Sequence, residues 1–349
     1  MAQTRLAVVL FNLGGPDAPK SVRPFLFNLF SDPAIIGLPT LLRIPLAALI
    51  AGLRDRSARA NYARMGGASP LLAETRAQSE ALKAVLRARL PGATVETFIA
   101  MRYWGPFSAE TAAVVAAFAP DEIVLLPLYP QFSTTTTASS LKAWEAVYRG
   151  SGRQRSVCCY PTLDGLVDAH ARRIEAAWDA AGRPEPVRLI FSAHGLPESV
   201  VQAGDPYVAQ VAATAQAVAS RLPKGLSDWR IAYQSRVGPM KWLAPTTLDE
   251  IEAAASDGVG VVISPIAFVC EHVETLVELD HDYRLRAEAA AIGAYIRAPT
   301  LGIEAGFIDG LAELTVAALD RPGGVAAGSG FTCAAAWSKC PLRAEGGVG

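Results

Sequence analysis

The sequence predicts an α/β protein built from two similar halves with parallel sheets, and three observations predict it. Short β-branched runs alternate with Ala-rich, Arg- and Glu-bearing stretches of helical period, which is the pattern of βαβ units. A weak internal repeat links the first part of the chain to the second. The length, 349 residues, suits two domains or one large bilobed unit.

Strands are expected at 6–12, 94–101, 122–128, 155–160, 187–193, 230–235, 258–265 and 294–298, each a short apolar or β-branched run bounded by turn residues. The first opens into Asn12-Leu13-Gly14-Gly15-Pro16, and the fifth opens in the same way into Ser192-Ala193-His194-Gly195-Leu196-Pro197. Two further pairs follow in the same order. Tyr103-Trp104-Gly105-Pro106 corresponds to Arg236-Val237-Gly238-Pro239, and 123–130 corresponds to 261–268. The connection between the first two marks is longer in the first half, and the apolar stretch 25–53 lies within it. Insertions on α/β scaffolds commonly form the walls of sites. Arg43 interrupts the most apolar part, 35–53, and Pro39 and Pro45 are expected to break it, so it reads as an apolar lip and not as a span. The halves part near 180–186, where Gly182, Pro184 and Pro186 cluster. The expected division is thus 1–180, with the lip insertion at about 20–65, then 181–320, then a tail at 321–349 that is Gly/Ala-rich and without period.

Hydrophobic residues make up 51% of the chain and charged residues 19%, the balance of a folded globular protein. With 32 basic against 33 acidic residues the formal charge is −1, so no global field draws nucleic acid or an anionic bilayer. Residues 1–12 form neither a signal h-region nor a cleavage site, and a cytoplasmic protein is expected. Five cysteines in such a chain point to metal binding or ordinary burial and not to a disulfide framework.

The common nucleotide and hydrolase signatures are missing, and Pro16 interrupts the backbone N–H groups that would let Gly14-Gly15 cradle phosphate. His194 stands at the C-terminal end of an expected strand, where open α/β sheets bind ligands, although a loop histidine with a satisfied hydrogen bond would look the same. On an α-helix, Glu271, Glu274, Glu278 and Asp282 share one stripe that no Lys or Arg interrupts. A solvated acidic face is the plainer account of that stripe. Three of the four histidines, His194, His272 and His281, lie in these two segments, and His with carboxylate suits borderline divalent metals and proton transfer alike.

Taken together, the residues resemble the ferrochelatase family through nearly all of 6–298. The resemblance runs through Asn12-Leu13-Gly14-Gly15-Pro16, Met65-Gly66-Gly67-Ala68-Ser69-Pro70-Leu71, Met101-Arg102-Tyr103-Trp104, Leu128-Tyr129-Pro130-Gln131-Phe132-Ser133 with the Thr/Ser run to Ser140, Ser192-Ala193-His194-Gly195-Leu196-Pro197, Gln234-Ser235-Arg236-Val237-Gly238-Pro239, and 265–280 with Glu271-His272-Val273-Glu274. Any one of these is weak; seven in order are specific. The resemblance implies two Rossmann-like, doubly wound halves around a porphyrin cleft, and a lyase that inserts Fe²⁺, as substrate, into protoporphyrin IX in the last step of haem biosynthesis. By the same resemblance, His194 and Glu274 are the catalytic and metal-facing pair, Glu278 and Asp282 belong to a proton or metal path, to which the stripe adds Glu271, and Leu13, Arg102, Tyr103 and Tyr129 line or anchor the macrocycle. Whether His194 receives the metal or a pyrrole proton stays open at this point. Buried strand-end packing for Leu and Tyr, and a core ion pair for Arg102, are the structural alternatives for the last four.

Cys158, Cys159, Cys333 and Cys340 number four, enough for a thiolate-ligated [2Fe–2S] cluster of the kind some relatives carry, while Cys270 is read as structural. Expected partners are the porphyrin and ferrous iron, no nucleic acid, and peripheral contact with the inner membrane through 25–53. The rival readings are a chelatase for coproporphyrin or another metal, a non-catalytic haem or porphyrin carrier, and a nucleotide-dependent oxidoreductase, against which the missing dinucleotide fingerprint stands.

Overall fold

In a computed structural model, which describes residues 3–344 except 237, 239 and 335, the chain forms two compact units, each with its own parallel sheet. The first unit runs to Tyr129 and adds Ser133–Cys158 and Thr315–Ala326; the second comprises Pro130–Phe132, Cys159–Leu314 and the chain from Ala327 on.

In the first unit, β1 (Thr4–Asn12) is buried from its third residue onward and pairs in parallel with β2 (Ala93–Met101) on one side and β3 (Glu122–Pro127) on the other. β4 (Arg153–Cys159) and β9 (Gly324–Ala327) complete the order β2-β1-β3-β4-β9. Helices α1 (Val22–Phe30), α2 (Thr40–Ala63), α3 (Leu71–Arg89), α4 (Ser108–Phe118) and α5 (Thr137–Glu145) connect these strands. Val9, Phe11, Val115, Leu125 and Trp144 share one core, with Phe11 edge-on to Trp144 at 6.0 Å.

In the second unit, β5 (Val187–His194) lies between β6 (Trp229–Gln234) and β7 (Gly260–Pro265), and β8 (Tyr295–Arg297) forms the edge beyond β7. All pairings are parallel. The helices are α6 (Asp164–Ala180), α7 (Glu198–Gln202), α8 (Tyr207–Ala219), α9 (Thr247–Ser256), α10 (Arg284–Ala289) and α11 (Ala305–Leu319), the last shared by both units. A π-helix, Glu274–Tyr283, runs into α10.

The order β6-β5-β7-β8 reproduces β2-β1-β3-β4 strand for strand, so the three sequence pairs of the repeat fall on equivalent strand ends. Val237 and Pro239 of the second pair lie outside the described residues.

Four expectations differ from the structure. α6 belongs with the second unit and not the first, because Val167, Ala171, Ile174 and Trp178 join the core of β5 and β7. The tail expected to begin at 321 contains β9, which returns to the first sheet. Pro45 does not break the lip helix: it lies inside α2, and the carbonyl it leaves without a donor belongs to Leu41, which is 88% exposed. The segment 271–282 is not an α-helical stripe, because the helix starts only at Glu274 and winds with the wider π spacing.

Candidate functional site

The site is built at the C-terminal ends of β5 and β6. Parallel register places His194 opposite Gln234, and β7 delivers the loop 266–273 to the same end of the sheet. Apolar β5 residues anchor the strand, and its last side chain, that of His194, is 38% exposed and so open to a substrate.

His194 Nδ1 lies 2.7 Å from Glu274 Oε2, on the first turn of the π-helix. An ionised carboxylate can only accept, so Nδ1 carries the hydrogen, and it is the neutral ring that has its lone pair on Nε2. Burial alone would lower the basicity of His194, but the charge of Glu274, its hydrogen bond and the charge of Glu278 outweigh burial and raise it above the ordinary histidine value. Glu274 is also penalised by burial, yet the charge and hydrogen bond of His194 hold its carboxyl well below the usual range. Glu278 moves the other way, pushed up first by burial and then by the charge of Glu274.

Two neighbouring carboxylates are thus driven apart in proton affinity, Glu274 held ionised and Glu278 more readily protonated. Ser235 Oγ donates to Glu278 Oε2 at 2.6 Å, and Gln234 Nε2 donates to the same oxygen at 3.1 Å and to the Glu274 carbonyl at 3.0 Å. The amide is held in that sense from behind: Ser192 Oγ donates to Gln234 Oε1 at 2.6 Å and accepts from Thr247, at the start of α9, at 2.7 Å. Ser192, Gln234 and Thr247 are all buried. Ser235 takes φ +66°, the left-handed region, as β6 ends.

His272 is buried and its Nδ1 has no hydrogen-bond partner among the described residues. Desolvation keeps it less basic than an ordinary histidine. The Phe268 ring meets His272 at 4.4 Å and His194 at 6.5 Å, edge-on to both. His281 pairs instead with Asp282 at 2.9 Å, near the other end of the π-helix.

The acidic residues expected in one line separate. Glu274 and Glu278 join His194, whereas Glu271 accepts from Arg297 Nη1 at 2.6 Å and from the Thr300 backbone at 2.9 Å. Glu271 precedes the helix and so escapes its periodicity.

The four residues expected to line a macrocycle belong to the first unit. Tyr103 is fully buried and its hydroxyl donates to Asp32 at 2.8 Å. Arg102 donates from Nη2 to the same carboxylate at 2.7 Å and from Nε to Ser139 at 2.6 Å. Leu13 and Tyr129 are half-buried, the latter with its hydroxyl 3.5 Å from Ser140.

Sequence reasoning left Ser192, Gln234, Ser235, Phe268 and Arg297 without roles. Gln234 could have been found: it closes a strand parallel to β5, so its register puts it beside His194.

The unit is a parallel α/β sheet with a histidine at a strand's carboxyl end and two carboxylates beside it on the π-helix, the groups an acid–base enzyme uses. The sequence profile described as "Ferrochelatase" matches residues 5–319. Curated relatives carry the same name: one from Caulobacter vibrioides is 60% identical over 340 residues, covering 97% of this chain and 98% of the relative. Another, from Phenylobacterium zucineum, is 60% identical over 342 residues, 98% of this chain and 99% of its own. A third, from Hyphomonas neptunium, is 52% identical over 352 residues, with 99% and 97% covered. The chain belongs to the ferrochelatase family, metal chelatases of the lyase class.

Proposed function

We propose that this chain inserts Fe²⁺ into protoporphyrin IX to give protohaem, with His194 as the proton acceptor and Glu274 as its partner. The observation that carries this reading is the 2.7 Å pair between His194 Nδ1 and Glu274, with Glu278 beside it. Insertion exchanges two pyrrole N–H protons for one ferrous ion, so the site must take up two protons while the ion sheds its water. His194 Nε2, made more basic by Glu274, takes one proton from the ring, and Glu278, whose proton affinity is raised, takes up the other. Glu274, held ionised, balances the imidazolium and meets the incoming cation, and Glu278 passes protons or the ion onward towards Asp282. An apolar site that prefers a bent ring to a flat one would lower the barrier further.

The decisive experiment is an anaerobic assay of the purified chain with Fe²⁺ and protoporphyrin IX, followed in the visible spectrum. Conversion to a haem spectrum is expected. Porphyrin binding without conversion would overturn the reading in favour of a carrier, and conversion of coproporphyrin alone would reassign the substrate.

The cofactor reading adds a [2Fe–2S] cluster on Cys158, Cys159, Cys333 and Cys340. Cys158, Cys159 and Cys340 are buried and Cys333 is half-buried, 3.3 Å from Gln210 Nε2. Among the described residues no three His, Cys, Asp or Glu side chains gather as they would around a metal ion, and no step above passes through a cluster. Sulfur-to-iron absorption in the resting enzyme would support the cluster; a colourless protein from an iron-replete, anaerobic preparation would remove it.

We place the chain in the cytoplasm, peripheral to the inner membrane, through the lip. Leu41, Leu42, Leu49 and Leu53 are exposed on α2, and among the described residues no helix is long and apolar enough to cross a bilayer. Flotation with lipid vesicles should carry the protein up and should fail for Leu41→Glu with Leu53→Glu.

A further inference from the structure

The strand that edges the second sheet reaches into the site's support. Arg297, the last residue of β8, is only 10% exposed and has an acidic partner on each side of the catalytic turn. Its Nη1 donates to Glu271 at 2.6 Å, its Nε donates to Asp280 Oδ1 at 2.8 Å, and its Nη2 pairs with Asp280 Oδ2. Glu271 precedes the π-helix that begins at Glu274, and Asp280 follows Glu278 within it. Two further bonds from the same stretch point the same way: the Thr300 N–H donates to Glu271, and Tyr295 Oη donates to the Leu279 carbonyl at 2.6 Å.

A π-helix has poor intrinsic stability and persists where surrounding contacts hold it. A guanidinium forked between two carboxylates is such a contact, and the planar fork sets direction as well as distance. Its charge has a second effect. Two partly buried carboxylates next to a cation route, Glu271 at 16% and Asp280 at 29% exposure, would compete for the ion, and a fixed positive group between them removes that competition.

We propose that Arg297 is a positioning residue for metal delivery, fixing both flanks of the π-helix so that Glu274 and Glu278 stay beside His194, and keeping Glu271 and Asp280 from binding the ion. The proposal rests on the roles given to Glu274 and Glu278 above.

The test uses full-length Arg297→Met and Arg297→Lys in the anaerobic assay, with Fe²⁺ and protoporphyrin IX varied separately and porphyrin binding measured by fluorescence. For Arg297→Met, kcat/KM for Fe²⁺ should fall by about 10–100-fold, the usual effect of losing a group that orients a metal site's ligands, while porphyrin affinity holds. Arg297→Lys should fall between, since an ammonium can keep one contact but not the fork. A folded Arg297→Met with unchanged iron kinetics would overturn the proposal, and so would a parallel loss of iron and porphyrin parameters. Should Arg297→Met not fold, Asp280→Asn, which leaves the Glu271 contact in place, must show the same iron-selective loss in smaller measure or the proposal fails. Glu274→Gln in the same assay separates the two readings: its normal turnover would sink the role of Glu274, whereas an inactive Glu274→Gln beside a normal Arg297→Met would sink only the role of Arg297.

Discussion

His194 divides its two nitrogens between the protein and the substrate: Nδ1 is engaged by Glu274, and Nε2 is left to a side that is partly open. His194→Ala should therefore lower insertion by about 10²–10⁴-fold, the range of a lost general base, while porphyrin binding by fluorescence stays intact. Glu278→Gln keeps an oxygen for Ser235 and Gln234 but cannot take up or release a proton, so a milder loss of about tenfold is expected in the same assay. An unchanged rate would make Glu278 a spectator. His170 has a different consequence. It is buried in α6, its Nε2 has no partner among the described residues, and burial pushes it down to about 3. The unfolded chain takes up this proton below about 6.5 while the folded chain does not, so stability is full above that value and falls as pH drops towards 3. Between pH 7 and pH 5 this one group should remove about 2 kcal/mol, and His170→Leu should flatten that part of the urea-denaturation profile.

At the scale of the element, legibility depended on how much of the signal was local. The place of His194 at the end of β5 could be read from a buried strand and its carboxyl end, whereas its role came from the resemblance and not from position. Glu274 and Glu278 could be read from their spacing, but Glu271 could not, because α-helical periodicity was the wrong ruler and its partner Arg297 arrives from a later strand. Pro45 misled for a related reason: a proline costs a helix one hydrogen bond and a clash with the carbonyl four residues earlier, and here that carbonyl belongs to the exposed Leu41 in the second position of α2, where the cost is least. Helix contact shows the same dependence on distant chain. A Cβ on Gly165, in the first turn of α6, would lie 2.2 Å from the Gly306 carbonyl oxygen of α11. Ala gains about 1 kcal/mol of helix propensity over Gly, yet forcing two backbones apart costs about 1–3 kcal/mol. Gly165→Ala should therefore lower the melting temperature in a thermal scan.

For the whole molecule, the repeat was faint in sequence and plain in topology, since the order of four parallel strands recurs while the loops at their ends have diverged to Gly14-Gly15-Pro16 in one unit and His194-Gly195-Leu196-Pro197 in the other. β9 was illegible because four residues, Gly-Val-Ala-Ala, carry no period, and only the waiting edge of β4 makes them a strand. Arg155 secures that return, donating from Nε to the Arg321 carbonyl at 2.7 Å and pairing with Glu122 on β3. A chain shortened to end at Asp320 should expose the edge of β4 and aggregate on light scattering at concentrations where the full chain stays clear.

That returning strand also sets a schedule. β4 ends at residue 159 and β9 begins at residue 324, so 164 positions must be translated between the two halves of one pairing. At about 5–20 residues per second, the first sheet leaves the ribosome with an open side and keeps it for roughly 8–33 s, while the second unit is made. Arg153, exposed at the start of β4, puts a charge on that strand throughout, and a charge on an open edge disfavours pairing with a neighbour on the same message.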